Sequence, residues 1–321
     1  HMFFKGTSKR PEPELIAGEL DSMGSVYNAF TSHEITGYFI KAGTLHLEKS
    51  LEILADIYKN SLLKEEEIER EKQVIIEELH KDLDTPMIYV WWVWEQLLYG
   101  DQPAGWDVIG DEKTVRSLVR QNFSDYFFHQ YVASNTAVVV AGNFDEAQTV
   151  TLIKNLFGDI RHDSPMRQKP LVLEEQTSPS VKILYKDSDQ TNLIVGFRGV
   201  SAGHPGRYPA EVLATPLGSG MSSRMFVRVR EKLGLAYTVM SSHEEYSNRG
   251  FLTTYAGVSH NSVEKAIKAI LEEYKRVCEE KISPQELQKV KDYIRGTTLI
   301  ALEQSNAVAS FVGTEEMVTG K

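Results

Sequence analysis

The hydrophobic positions along the chain follow two periods. "LHLEKSLEILADIYKN" from Leu45 and "VEKAIKAILEEYKR" from Val263 space apolar residues three and four apart, which puts them on one side of an α-helix. "NTAVVVAGNF" from Asn135, "SVKILYKD" from Ser180 and "QTNLIVGFRG" from Gln190 are shorter runs with β-branched residues, the pattern of strands. Strands and helices interleave along the whole length, so the patterning predicts an α+β protein.

The pattern also repeats. "TSHEITGYFIKAGTLHLEKSLEILADIYKN" from Thr31 matches "SSHEEYSNRGFLTTYAGVSHNSVEKAIKAILEEYKR" from Ser241 in order and kind: a short strand, an Ala-Gly turn, a Glu-Lys pair and an amphipathic helix. A second helix follows in each copy, "EEEIEREKQVIIEELH" from Glu65 and "SPQELQKVKDYIRGTT" from Ser283. Two homologous domains in tandem are the simplest reading. Between them "HDSPMRQKPLVLEEQTSPS" carries three prolines and mixed charge, a composition suited to an exposed linker. The expected division is therefore a first domain over 1–165, a linker over 166–178 and a second domain over 179–321.

Comparing the copies shows what each lacks. After its second helix the first continues through the aromatic run "MIYVWWVWEQLLYG", two further helical stretches and the strand "NTAVVVAGNF", whereas the second stops at Lys321. The first copy in turn has no counterpart of the strands that open the second. N-terminal strands and C-terminal helices with a closing strand are thus expected to be missing, and the chain reads as a fragment of a protein of roughly 400 residues. The aromatic run is expected in a core or a domain interface, the alternative being a peptide-cavity wall or a dimer contact.

Charge and cysteine usage narrow the function. A net charge of -10 argues against nucleic acid and anionic membrane as partners, since both need a basic surface. The single cysteine, Cys278, excludes an intrachain disulfide and a thiolate zinc cluster, which fits a cytoplasmic protein. No apolar stretch approaches the roughly 20 residues that span a bilayer, and no signal peptide is evident.

Candidate chemistry lies where the copies differ. Glu71 and Glu78, seven residues apart on the second helix, share a stripe with Glu67 and Val74. Two carboxylates stacked on one face can ligate a metal or orient its ligands. Aligning Lys72 with Lys291 puts Val290 and Thr297 at the matching places, so the second copy has no acids there. The plain alternative for "KEEEIEREKQ" is a solvated helix laced with local ion pairs. "GSGMSSRMF" from Gly218 is glycine-rich but has neither the lysine nor the spacing of a P-loop.

Four runs taken together, "HMFFKGT", "MGSVYNAFTSHEITGYFI", "EREKQVIIEE" and "GSGMSSRMFVRVREKLGLAY", resemble the M16 family of zinc metallopeptidases, the pitrilysin, insulinase and mitochondrial processing peptidase group. The resemblance covers essentially the whole chain. It implies an α+β fold of two homologous domains in tandem, each an antiparallel sheet flanked by helices, and pairing of two such chains, as a homodimer or with another M16 chain, around a peptide substrate. In the family an inverted H-x-x-E-H is followed about 75 residues later by a glutamate, and zinc is held by the two histidines and that glutamate. By resemblance the second histidine falls on His1, the distant ligand on Glu78, and an acid that orients the ligands on Glu71. Asn28, Ala29, Phe30 and Thr31 match the edge strand that takes an extended peptide as an added strand. Arg230 and Tyr237 match the arginine and tyrosine that hold the substrate carbonyl and stabilise the oxyanion. Taken singly, these would read as a paired strand, a surface cation and a half-buried aromatic.

The match is incomplete. A His-Met start is also what an expression tag leaves behind, and none of the nine histidines stands in an H-x-x-E-H. The first histidine and the glutamate base of the motif are absent from these residues, so the 321-residue chain is expected to be inactive as a peptidase. A non-catalytic peptide-binding or scaffolding subunit, paired with an active M16 chain, is the alternative.

Overall fold

The structure, a computed structural model, describes residues 1–165 and 169–320. In chain order its main elements are α1 (Pro13–Ser22), β1 (Val26–Thr31), β2 (Thr36–Lys41), α2 (Leu47–Asn60), α3 (Glu65–Leu83), α4 (Pro86–Tyr99), α5 (Glu112–Ser117), α6 (Arg120–Gln130), α7 (Glu146–Phe157), β3 (Thr191–Arg198), α8 (Arg207–Gly218), β4 (Ala236–Glu245), β5 (Gly250–Val258), α9 (Val263–Glu279), α10 (Pro284–Ala301) and α11 (Ser305–Thr319). A seven-residue π-helix, Phe226–Lys232, precedes β4. The expected repeat is present: hairpin β1–β2, a 3-10 turn, α2 and α3 recur as β4–β5, a 3-10 turn, α9 and α10. Among the described residues no helix is long and apolar enough to cross a membrane.

Packing divides the chain into two units. The first comprises His1–His80, Val108–Lys169 and Gln304–Lys321, and the second Lys81–Asp107 and Pro170–Glu303. Residues 166–168, the start of the expected linker, lie outside the described residues; residues 169–178 carry no helix or strand and are mostly exposed.

In the first unit the antiparallel pair β1–β2 aligns Asn28 with Phe39 and Phe30 with Gly37. The Phe30 ring lies over Gly37, 2.3 Å from where a Cβ would stand. Ile53 and Ile57, one turn apart on α2, are fully buried against Phe3, Ile16 and Leu20. Burying each such isoleucine contributes about 1.5–3 kcal/mol. Beside this core, Arg10 ties three elements together: its Nη1 donates to Asp56 Oδ2 at 2.6 Å and its Nε and Nη2 grip Glu19 at 2.9 Å each. Arg10 holds the Glu19 carboxyl at about 2, and Lys49 adds to the effect. Thr7 completes the anchor, donating its hydroxyl to Asp56 and bridging the backbone of Ser61. The start of the chain is thereby pinned against α2.

In the second unit β5 is the central strand of an antiparallel sheet ordered β3-β5-β4. Leu217, Met225, Val229, Ala256 and Ile270 form its core with α8 and α9. The aromatic run forms α4, and its rings pack inside this unit: Trp94 meets Phe251 edge-on at 6.0 Å, and Trp91 stacks on Tyr255 at 6.4 Å. That is the core reading of the run.

Two expected strands are not strands here. Of the three runs read that way, "QTNLIVGFRG" forms β3, whereas residues 135–144 and 180–187 belong to no strand. A strand exists through the ladder bonds of a neighbour, and these segments have no paired neighbour among the described residues. Val181, Ile183 and Tyr185 consequently stand in solvent.

Candidate functional site

The start of the chain and α3 meet in the first unit. Leu63, with φ of 47°, turns the backbone into α3, and its carbonyl accepts from Arg120 Nε at 2.8 Å. Three glutamates, Glu65 to Glu67, then open the helix where its dipole favours negative charge. Along α3 the buried positions include Glu67, Ile68, Glu71, Lys72, Ile76 and Leu79. The expected stripe therefore splits: Glu67 and Glu71 are buried, Val74 and Glu78 exposed. Part of the local ion-pair reading also holds, since Arg70 pairs with Glu67 and Lys72 with Glu69.

Glu71 is the hub. His1 Nδ1 lies 2.6 Å from its Oε1, and Lys5 Nζ lies 2.8 Å from its Oε2. Burial alone would push this carboxyl up, but the hydrogen bonds from Lys5 and His1 outweigh it and hold Glu71 below the usual carboxylate range. Glu71 is thus an ionised, buried carboxylate with a cationic partner on one oxygen and an imidazole on the other. His1 and Glu71 also line a cavity of about 830 Å³ whose other walls include Phe3, Tyr38, Phe127 and Tyr131. Lys5 was not singled out in the sequence; a cation four residues after His1 in "HMFFKGT" was the available signal.

Glu78 stands apart. It is exposed, and no hydrogen bond or ion pair among the described residues joins it to His1. Seven residues of helix carry it about 10 Å along the axis from Glu71. Among the described residues no group of three His, Cys, Asp or Glu side chains could hold a metal ion. The donors present do not fit a three-ligand zinc site.

Asn28, Ala29, Phe30 and Thr31 all lie on β1, whose only partner among the described residues is β2. The other edge of β1 is therefore open to an added strand. Asn28 Oδ1 accepts the Ala29 N–H at 2.8 Å.

In the second unit the structure brings Arg230 and Tyr237 together. The Arg230 guanidinium lies 5.0 Å from the centre of the Tyr237 ring and 4.6 Å from that of Phe226. A register shift between Ala236 and Thr238 leaves Tyr237 out of the β4–β5 ladder, and its side chain is 75% exposed. An exposed phenol stacked on a guanidinium sets two donor groups side by side. Phe226, which holds the guanidinium from below, was not anticipated; it precedes Arg230 by four residues. At the places that match Glu71 and Glu78, α10 has Val290, buried, and Thr297, whose hydroxyl donates to Tyr293 O at 2.9 Å.

Comparison with known proteins gives the following matches. The family model described as insulinase, peptidase family M16, matches residues 1–87, and that described as the peptidase M16 inactive domain matches residues 117–294. An uncharacterized zinc protease of Rickettsia felis is 35% identical over 322 residues, covering 100% of this chain and 77% of that protein. The uncharacterized zinc protease YmxG of Bacillus subtilis is 33% identical over 322 residues, with the same 100% and 77% coverage. Among solved structures, a protease from Helicobacter pylori superposes with a TM-score of 0.90 at 24% identity, over 99% of this chain and 78% of that one. A chain of complex III2 from Candida albicans gives 0.80 at 17% identity, over 100% and 78%.

Proposed function

Because this chain belongs to peptidase family M16, we propose that its residues serve the zinc-dependent cleavage of unfolded peptides, the part they supply by themselves being peptide binding. The match to a zinc protease across 100% of the chain carries this reading. In it, His1 and Glu78 stand at the positions of the family's second histidine and distant glutamate, two donors that do not by themselves make a zinc site, and Glu71, ionised and clamped, stands where an acid orients the ligands. Asn28 to Thr31 receive the peptide on the open edge of β1 by main-chain hydrogen bonds, which suits a broad range of sequences. Arg230 and Tyr237 donate to a peptide carbonyl. By descent the domains are 1–165 and 179–321, joined by 166–178; the division by packing differs, since Lys81–Asp107 with α4 falls in the second unit and Gln304–Lys321 with α11 in the first. The lone exposed Cys278 suits a reducing compartment such as the cytoplasm.

The 321-residue chain itself contains no H-x-x-E-H and, in this reading, binds unfolded peptide without cleaving it. Incubation with a quenched fluorescent peptide and added zinc is expected to give no turnover, while anisotropy reports binding of the same peptide. Zinc-dependent turnover that disappears on chelation and in Glu78→Ala would overturn this.

A second reading is a non-catalytic subunit that pairs with an active M16 chain. It is prompted by the lack of an H-x-x-E-H in these residues and by the fold shared with a chain of complex III2. Turnover that appears only when a second M16 chain is added supports this alternative.

A further inference from the structure

Arg230 differs from the other arginines of its stretch in what holds it. Arg224 grips Glu286 at 2.9 and 2.6 Å, and Arg228 pairs with Glu272. The Arg230 guanidinium makes no hydrogen bond among the described residues; the carboxylate of Glu231 lies 3.8 Å from its Nε, outside hydrogen-bond distance. Its side chain is 35% exposed, and none of its nitrogens is shut off from solvent.

In place of a carboxylate the guanidinium has two rings, Phe226 at 4.6 Å and Tyr237 at 5.0 Å. The backbone sets both. Phe226 and Arg230 lie about one turn apart on the π-helix, in which the Leu233 N–H donates to Arg228 O, five residues back, at 3.1 Å. Met225 and Val229, the residues just before them, are fully buried, and Phe226 packs against the same core. Gly234, with φ of 58°, then closes the helix by donating its N–H to Arg230 O at 3.1 Å, and the chain turns into β4, where Tyr237 stands out of the ladder. The two ways of holding a guanidinium differ in what they leave over. A carboxylate takes its N–H groups and cancels its charge, whereas an aromatic ring takes its flat face and leaves the N–H groups for another acceptor. Either way the long side chain is ordered before a ligand arrives, so less entropy is lost on binding.

We propose that Phe226 is a positioning residue, whose ring holds Arg230 beside Tyr237 with its N–H groups free for a peptide carbonyl. The proposal rests on the reading above of Arg230 and Tyr237 as carbonyl donors; Phe226 acts through Arg230. Two measurements on the full chain test it. Anisotropy of a labelled unfolded peptide reads affinity. The Nε–H signal of Arg230, in NMR spectra of protein isotope-labelled at arginine nitrogen and assigned by its loss in Arg230→Gln, reads whether the group lies over rings, whose currents displace it. In the parent the signal should already be displaced from that of a free arginine side chain. Phe226→Leu keeps an apolar side chain without the ring; it should move the signal towards the free position and weaken peptide binding about two- to fivefold, the worth of one cation–π contact. Phe226→Tyr keeps the ring and should restore both. Arg230→Gln should weaken binding about tenfold, the loss of a charged donor. Peptide binding unaffected by Arg230→Gln overturns the carbonyl-donor reading and this proposal with it. Binding weakened by Arg230→Gln but not by Phe226→Leu overturns the proposal alone, as does equal weakening in Phe226→Leu and Phe226→Tyr, which assigns Phe226 to packing. An undisplaced Arg230 signal in the parent overturns it too, and that result depends on no Phe226 variant folding.

Discussion

At the scale of single residues, the decisive contact joins positions 70 apart in sequence, His1 and Glu71. That Glu71 mattered could be read from its place on the helix and from the lack of an acid at the matching Val290. That His1 would lie beside it followed only from the family resemblance, and Lys5 was not foreseen, because nothing local to α3 specifies which chain segment is laid across it. The clamp has a consequence for pH. Glu71 is held below its ordinary carboxylate range, so its pairing stabilises the fold above the unfolded-state value, about 4.3, and the contribution is lost as pH falls through the lowered folded value. Lys5→Met should therefore destabilise the chain at pH 7, by about 1–3 kcal/mol for a charged hydrogen bond to a buried carboxylate. Urea unfolding should show this deficit at pH 7 shrinking towards pH 3. A deficit of equal size at both pH values would mean that Lys5 acts by packing alone.

At the scale of elements, the helices and the repeat were readable because each carries its own signal. Ser283 caps α10 by accepting the Glu286 N–H at 3.1 Å, with Pro284 as the first helical residue, and both are visible as "SPQE". Segments 135–144 and 180–187 have the right composition for strands but no ladder partner among the described residues, and composition does not supply one. The packing of α8 on β4 was equally hidden. It depends on Gly218, where a Cβ would sit 1.9 Å from the backbone nitrogen of Ser241. The obstacle is backbone, which cannot rotate aside as a side chain does. Gly218→Ala is expected to cost at least the roughly 1–3 kcal/mol typical of overpacking, read as a lower midpoint in chemical denaturation. An unchanged midpoint would show that α8 and β4 can move apart freely.

At the scale of the whole chain, stability comes from two packed units and their apolar cores, with no three-donor metal group among the described residues. A ligand stabilises a fold only as far as it binds the native state. Treating the purified 321-residue chain with a chelator should accordingly leave its thermal unfolding midpoint within about 1 °C of the untreated protein, since metal-dependent folds lose far more. A fall of several degrees would reveal a metal that contributes to the fold. This measurement is independent of the turnover assay, because it reads the folded state and not the chemistry.

The sequence by itself determined the class of the protein. Periodicity gave an α+β chain, the internal match gave a repeated hairpin-helix-helix unit, and four spaced runs pointed to peptidase family M16, because each of these is carried by residues near one another in the chain. Only the tertiary structure decided that Glu71 is clamped while Glu78 is left in solvent, that Arg230 stacks on Tyr237, and that Trp94 of α4 is core with Trp91 packed beside it. The reason is physical: burial, pairing and leftover hydrogen-bonding capacity are properties of groups that meet only after the chain has folded.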